Sequence, residues 1–127
     1  MDPQQEIFTR IRKDLLKLGY DVYDCGLPPE GTLYPFVYLG DVQEIDTSAK
    51  AEIMGNAGIT IHVWGNNPEK RGDISQMLAN IKSTCRRIEA TDNYSWLLSG
   101  LTQRIFPDNT TKEPLIHGVI EANFRFT

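Results

Sequence analysis

The sequence of 127 residues lacks a long apolar run. A membrane-spanning helix needs about eighteen apolar residues in succession, and no stretch of the sequence approaches that length. It also lacks an excess of positive charge: 13 lysines and arginines stand against 17 acidic residues, and the formal net charge is −4. Basic surface supplies most of the affinity of proteins that bind nucleic-acid phosphates. The composition therefore argues against a membrane span and against a protein that wraps nucleic acid.

Cysteine is scarce, and Cys25 and Cys85 are its two occurrences. They form no CxxC motif and are too few for a disulfide framework. Cys85 falls on the apolar stripe of a predicted helix, where a thiol packs as a small hydrophobic side chain. We therefore expect free thiols and a reducing compartment.

Motifs that carry catalytic chemistry are absent from the sequence, including phosphate-binding glycine loops, GxSxG, HExxH and EF-hand patterns. His62 and His117 fall on predicted strands at outward-facing positions and could form half of a zinc site. Zinc needs a third and usually a fourth ligand, and nothing in the sequence places one there. No serine lies in a recognised nucleophile setting, and the acids fall at strand ends and in loops. We expect a protein without enzymatic activity, bound cofactor or metal.

The first helix is predicted to begin directly after Asp2. Asp2 is a favourable capping residue, Pro3 suits the first helical position, and Gln5 lies three residues after the cap. Gly19 ends the helix, since glycine tolerates left-handed backbone angles. Apolar residues recur at helical spacing at Ile7, Phe8, Ile11, Leu15 and Leu18.

Strands are predicted from alternation of apolar and polar residues and from bounding turns. They cover residues 21–24, 36–39 with an extension through 45, 59–64, 101–106 and 116–126. Pro107 is assigned to a turn-rich loop over residues 107–111. In the last strand the predicted core face is Ile116, Ile120, Ala122, Phe124 and Phe126. The predicted outward face is His117, Glu121, Asn123 and Arg125.

A second amphipathic helix is predicted over residues 69–90, with its apolar stripe at Ile74, Met77, Leu78, Ile81, Cys85 and Ile88. The element order is therefore α-β-β-β-α-β-β. Hairpin-length turns predict antiparallel pairing. We predict a single α+β domain over residues 1–127, in which two helices pack on one face of an antiparallel sheet.

Two features are better explained by contact with another protein than by chemistry. Tyr38, His62 and Trp64 are candidates for subunit packing, because exposed aromatic side chains on a sheet are frequent interface anchors. Trp64 could equally cover the edge of the core under a helix. The second feature is the hairpin arm (residues 42–54), whose tip at residues 46–57 is small and polar. A partner could order this tip, or it could be a mobile loop without a partner. Its candidate contact residues are Val42, Glu44, Ile45, Lys50, Ile53 and Met54.

Three segments resemble the tail completion or tail terminator (head-to-tail joining) proteins of long-tailed bacteriophages, the siphophages. The first is residues 22–24 followed, after a proline- and glycine-containing loop, by residues 34–40. The second is residues 59–64, followed by a turn and an amphipathic helix. The third is residues 117–126. Together with the opening helix they span nearly the whole chain in the family's order.

The resemblance implies a fold similar to that of phage tail terminators and a virion protein assembled in the host cytoplasm. Such proteins form a ring, usually a hexamer, at the head-proximal end of the tail tube. The ring stops tube polymerisation and faces the head connector or head completion protein, and DNA passes through its lumen. An acidic lumen would let DNA slide without specific binding. The expected partners are therefore further copies of the chain, the tube protein and the connector.

Two alternatives remain open at the level of sequence. One is a different virion part of similar size, such as a head completion protein or a minor tail protein. The other is a small cytosolic ligand-binding module, which would be a monomer or dimer with an enclosed pocket.

Overall fold

The computed structural model describes residues 2–26, 28–48 and 53–127, and for residues 46–48 and 53 it describes the backbone alone. The helices are α1 (Pro3–Lys17) and α2 (Arg71–Arg86), with a 3₁₀ turn (Pro68–Lys70) before α2. The strands are β1 (Val22–Tyr23), β2 (Phe36–Ser48), β3 (Ile53–Gly65), β4 (Trp96–Asp108) and β5 (Leu115–Phe126). They form one sheet in the order β1-β2-β3-β5-β4. The predicted α+β class and element order are confirmed.

Helix α1 begins as its sequence predicts. The side chain of Asp2 accepts a hydrogen bond of 2.8 Å from the backbone N–H of Gln5, and Gly19 has a φ of +90° just after the helix. The prediction that Leu18 belongs to the buried stripe was wrong, because Leu18 is 47% exposed. Leu18 is the C-cap, so its side chain leaves the apolar face of the helix.

Helix α2 is shorter than residues 69–90 at both ends. The 3₁₀ turn replaces its first turn, and after Arg86 the backbone N–H of Ile88 bonds to the carbonyl of Cys85 in a tighter turn. Within the described parts of the chain, no helix combines the length and apolarity that a membrane crossing requires.

The sheet is antiparallel except at β1. Val22 and Tyr23 pair in parallel with Val37 and Tyr38, which corrects the expectation of antiparallel pairing throughout. A parallel pair needs a connection of about a dozen residues, and residues 24–35 provide it. The short β1 therefore covers the outer edge of β2 only near its start, at residues 37 and 38.

The arm strands are longer than predicted. Residues 46–48 and 53–57, predicted as part of a hairpin tip, belong to the ladder between β2 and β3, which continues to the pair Ser48 and Ile53. Pairing with β5 begins at Gly55, so the end of the arm reaches beyond β5. The predicted tip between these strands lies outside the described residues.

Strand β4 is also longer than residues 101–106, because it pairs with β5 from Trp96 to Asp108. Pro107 lies inside this strand, and its assignment to a loop was wrong. β4 is the outermost strand, where a missing backbone N–H costs little.

Both helices pack on one face of the sheet and form one core with it. Side chains without solvent exposure come from both layers, namely Ile7, Ile11, Leu15, Leu78, Ile81, Ile61, Val63, Ile120 and Phe124. Helix α2 packs tightly against β5 at Gly118, where a Cβ atom would lie 3.0 Å from the Leu78 side chain. The core also buries a carboxylate. Glu6 on α1 is 6% exposed and accepts a hydrogen bond from Thr91, in the segment before β4. The opposite face of the sheet is not covered by either helix.

Candidate protein interface

The sheet face opposite the helices carries the predicted packing residues. Tyr38 pairs with His62 between β2 and β3, and Trp64 pairs with His117 between β3 and β5. Neighbouring strands in register place paired residues on the same face. Tyr38, His62 and Trp64 therefore lie together, as the alternation of β3 predicts, and each is partly exposed. The reading in which Trp64 covers the core beneath a helix does not hold, because both helices pack on the other face.

His117 does not extend into solvent as predicted, since it is 8% exposed. The Trp64 indole stacks on its imidazole with ring centroids 3.7 Å apart and planes at 12°. On the opposite flank, the ring of Phe106 on β4 lies 4.8 Å from the imidazole of His117, measured between ring centroids. β5 lies between β3 and β4, so aromatic rings from both flanking strands bury this histidine. We call Tyr38, His62, Trp64, Phe106 and His117 the aromatic–histidine cluster.

The two histidines are bonded to each other. Nδ1 of His62 lies 2.8 Å from Nε2 of His117, so one ring nitrogen donates and the other accepts. Burial lowers the pKa of His62, and the nearby Asp41 opposes that shift. Burial and the neighbouring His62 lower the pKa of His117 to about 4. Arg104 adds to this effect and Asp108 opposes it. Because both pKa values are lowered from their ordinary value, the neutral form of both imidazoles predominates at pH 7, and two neutral rings can share one N–H···N bond.

His62 and His117 are the two residues that, from the sequence, could form half of a zinc site. Zinc requires further nitrogen, oxygen or sulfur ligands at about 2.0–2.3 Å. Among the described residues, no group of three or more histidine, cysteine, aspartate or glutamate side chains gathers in a way that could hold a metal ion. The two histidines instead bond to each other and pack against aromatic rings, as side chains in a packed cluster do.

An open groove of about 420 Å³ adjoins the cluster. We call it the aromatic groove; it is lined by Gly26, Pro28, Tyr34, Phe36, Tyr38, His62, Trp64 and Leu115. None of these lining residues carries a formal charge at pH 7. Sequence reasoning missed Tyr34, Phe36 and Leu115. Phe36 could have been found, because it lies two residues before Tyr38 and therefore on the same face. Exposed apolar surface of this kind marks candidate contact sites.

The base of the hairpin arm is closed against the subunit itself. Val42 packs against the core, and its backbone carbonyl accepts a hydrogen bond of 3.4 Å from Nε2 of Gln4. The carboxylate of Glu44 accepts one of 3.1 Å from the backbone N–H of Gln4. The start of α1 thus covers this part of the arm, and Val42 and Glu44 make contacts within the subunit itself.

The part of the arm beyond Glu44, which we call the distal arm, is more exposed to solvent. Ile45 is 57% exposed on the face away from the helices, and Met54 is partly exposed. Lys50 lies outside the described residues, and for Ile53 the structure describes only a backbone pair with Ser48. The aromatic groove lies at the Phe36 end of β2, and the exposed residues Ile45 and Met54 lie towards its other end, roughly 30 Å away by strand rise.

Both cysteines are free thiols. Cys25 is exposed, and Cys85 is buried on α2 as predicted. Burial raises the pKa of Cys85 to about 12, and the nearby Asp14 acts in the same direction. A thiol with so high a pKa is not a nucleophile at neutral pH.

Comparisons with known proteins bear on this fold. No protein-family model and no curated protein matches the chain. A solved chain from the virion of a native gene transfer agent particle aligns with a TM-score of 0.62 at 18% identity, over 97% of this chain and 94% of that one. A second solved structure, which carries only a sequence identifier as its name, aligns with a TM-score of 0.68 at 10% identity, over 100% and 97%. The chain thus shares its whole fold with a protein of a virion particle.

Proposed function

We propose that this chain is a structural protein of a phage-like virion. The observation that carries the proposal is the likeness to the gene transfer agent virion chain, which extends over 97% of this chain and 94% of that one. Near-complete coverage of both chains means that the two folds correspond over nearly their whole aligned length. The resemblance of three sequence segments to phage tail completion proteins supports the same class.

Within the virion, the proposed role is that of a tail terminator. Copies of the chain form a ring, usually of six, that caps the head-proximal end of the tail tube, ends its growth and faces the head connector. A cyclic ring needs two different complementary patches on each subunit. The aromatic groove and the exposed distal arm lie at opposite ends of the β2–β3 hairpin. Their separation suits a subunit that contacts different partners at its two ends.

The proposed role involves no catalysis. The two histidines are neutral at pH 7, bonded to each other and packed against aromatic rings. The buried thiol of Cys85 stays protonated at neutral pH. These side chains are therefore occupied by packing, which supports a structural role.

For the DNA that passes through such a ring, we hypothesise sliding without specific binding. The net charge of −4 disfavours tight phosphate contacts. Electron cryomicroscopy of the ring on a tube would identify the side chains that face the lumen. A lumen with a net basic lining would contradict the hypothesis.

The test of the proposed function is the molar mass of the purified full chain by light scattering, alone and after mixing with tail tubes. Electron microscopy of the mixtures locates the protein on the tubes. We expect either a ring of about six subunits in solution or a monomer that joins tubes at one end only. Tubes already capped by terminator serve as the matched control, since their ends should not take up further protein.

Other outcomes separate the alternatives. A chain that ignores tubes and binds isolated head connectors would support a head completion protein. A chain distributed along the tube or at its distal end would support a minor tail protein. A monomer that binds neither structure would contradict a virion role and favour the ligand-binding module.

A further inference from the structure

The outermost strand of the sheet, β4, has an edge that no other strand covers within the described residues. β4 spans Trp96–Asp108 and pairs along one side with β5. The backbone groups on its other side point away from the sheet. Unpaired strand edges are templates for pairing with another chain, and proteins usually protect them.

The hydrogen bonds at the start of β4 show which residues face the open edge. Ser95 and Thr127 exchange two backbone hydrogen bonds of 3.0 and 3.2 Å across the β5 side. The next residue, Trp96, donates its backbone N–H over 2.8 Å to the carbonyl of Glu89 on the other side. The two sides alternate along an antiparallel strand.

A bulge between Leu98 and Gly100 shifts this alternation by one residue. Beyond the bulge, the backbone groups that point to the open edge belong to Leu101, Gln103, Ile105 and Pro107. Pro107 has no N–H to offer there. The bulge and the proline are both common protections of strand edges, and they leave residues 101–106 open between them. We call residues 101–106 the edge window.

The same sheet has a complementary edge on β2. Three successive antiparallel pairings, β2 with β3, β3 with β5 and β5 with β4, make β4 run opposite to β2. On β2, Gln4 covers the carbonyl of Val42, and β1 covers residues 37 and 38. Residues 46–48 lie beyond both covers. Gln103 is level with Ile61, and Asp46 is level with Gly55, six residues further along β3. Copies in one orientation, displaced along the strands by roughly 20 Å, therefore bring the edge window against residues 46–48 of the next copy in antiparallel fashion.

We propose that the edge window of one copy pairs with the distal part of β2 of a second copy, as the heterologous contact between ring neighbours. The proposal rests on the ring assembly put forward above. The carbonyl of Val42 points to the outer edge, and alternation gives residues 46 and 48 the same direction. If Gln103 pairs with Asp46, two residues whose backbone groups both point to the outer edge of their sheet face each other. The same register sets Arg104 opposite Ile45.

Arg104 and Ile45 lie on the sheet face away from the helices, so this register keeps the faces of the two copies aligned. Arg104 is level with Val119, and its guanidinium lies 5.4 Å from the centre of the Phe106 ring on that face. Ile45 pairs with Asn56, again on that face. The aliphatic part of an arginine can cover an exposed isoleucine.

The first test removes a single outward N–H. Gln103→Pro deletes a donor on the open edge and leaves the bonds to β5 in place, as Pro107 already does four residues later. The matched control is Gln103→Thr, which keeps the N–H and suits a strand. We expect both variants to melt within a few degrees of the parent chain, and Gln103→Pro to lower ring or cap formation by about tenfold or more.

The second test is disulfide trapping and does not depend on Gln103→Pro folding. Arg104→Cys and Ile45→Cys are made as separate full-length chains, each with Cys25→Ser to remove the exposed native thiol. Within one chain, three strand spacings alone separate the two positions by about 14 Å, and Ile45 is level with Leu97 rather than with Arg104. The two positions are therefore too far apart for a disulfide within one chain. Mixing and mild oxidation should give a heterodimer of the two variants. Gln103→Cys alone should give no dimer, because it would meet itself only in a two-fold pairing of β4 with β4.

The outcomes separate this proposal from the proposed function. If the parent chain caps tubes and Gln103→Pro caps them equally well without a heterodimer, the edge contact is wrong and the terminator role stands. If the heterodimer forms but the parent chain ignores tubes, the contact is right and the terminator role is wrong. A Gln103→Cys dimer would replace the proposed contact with a two-fold one.

Discussion

The hydroxyl of Thr91 donates a hydrogen bond of 2.7 Å to the carboxylate of Glu6, although the two residues lie 85 positions apart. Asn93 donates two more, at 3.0 Å from its backbone N–H and 2.7 Å from its side chain. Thr91 in turn accepts from the indole N–H of Trp96 at 2.8 Å. Burial by itself raises the pKa of Glu6, but these bonds outweigh it and hold the pKa below its ordinary value. A buried carboxylate thus ties α1 to the segment that begins β4.

Glu6→Ala should lower the free energy of unfolding by about 2–4 kcal/mol, because it leaves buried donors on Thr91 and Asn93 without an acceptor. Urea unfolding at pH 7 measures the change. The control is Glu113→Ala, which removes an exposed carboxylate and should change stability by less than about 0.5 kcal/mol. Equal effects of the two substitutions would show that the buried network contributes nothing.

Stability should fall as the pH is lowered from 6.5 towards 4. The unfolded chain protonates its histidines near 6.5, whereas burial and His62 hold the pKa of His117 in the folded chain at about 4. In this window the unfolded state binds more protons, so the free energy of unfolding decreases with decreasing pH, by about 1–2 kcal/mol between pH 7 and pH 5.

Urea titrations at several pH values between 7 and 5 measure this dependence while Glu6 is still mostly ionised in both the folded and the unfolded chain. The comparison variant is His117→Phe, which keeps a ring between Trp64 and Phe106 and removes the titrating group. Its pH dependence should be at most about half that of the parent chain. An unchanged dependence would assign the effect to other groups.

Gly118→Ala should destabilise the protein by about 1–2 kcal/mol, since its new methyl group would lie 3.0 Å from the buried Leu78 side chain and 3.2 Å from Ile74. The paired variant is Gly72→Ala on α2, where nothing lies within 4 Å of the added atom. That change should stabilise by about 0.5–1 kcal/mol through helix propensity. Thermal melts of both variants check the sign, and stabilisation by Gly118→Ala would disprove the close packing of α2 on β5.

Ile45→Lys should leave the melting temperature unchanged and reduce ring or cap formation by tenfold or more, because it adds a charge to an exposed apolar position of the arm. Ile45 is 57% exposed. The control is Leu33→Lys at an apolar position that is 76% exposed and outside the proposed contacts. Light scattering and microscopy with tail tubes read out both variants. Equal losses would indicate a general effect of surface charge.

The parts of the fold that could be predicted from sequence depend on neighbours a few residues away. The capping of α1 by Asp2 involves only Gln5, three positions later. The alternation in β3 places His62 and Trp64 on the face away from the helices through backbone geometry alone. The burial of Cys85 follows from its place on an amphipathic stripe.

The errors lie where a distant segment decides the outcome. Strand β4 includes Pro107 because β5 pairs with it, and a proline is tolerated there because β4 is the outermost strand. The arm strands extend because β2 and β3 pair with each other well beyond the apolar residues that mark them as strands. Leu18 has the right spacing for the apolar stripe, but the helix ends at Lys17.

The sequence by itself therefore determined the two helices, the strand order along the chain, the α+β class and the residues that share each strand face. These properties follow from local periodicity and turn chemistry. Only the tertiary structure decided that His117 is buried between Trp64 and Phe106, that Glu6 meets Thr91, and that β4 is left with an open edge. Each of these depends on which strands and loops become neighbours, and neighbours in space are set by the packing of the whole sheet and its helices.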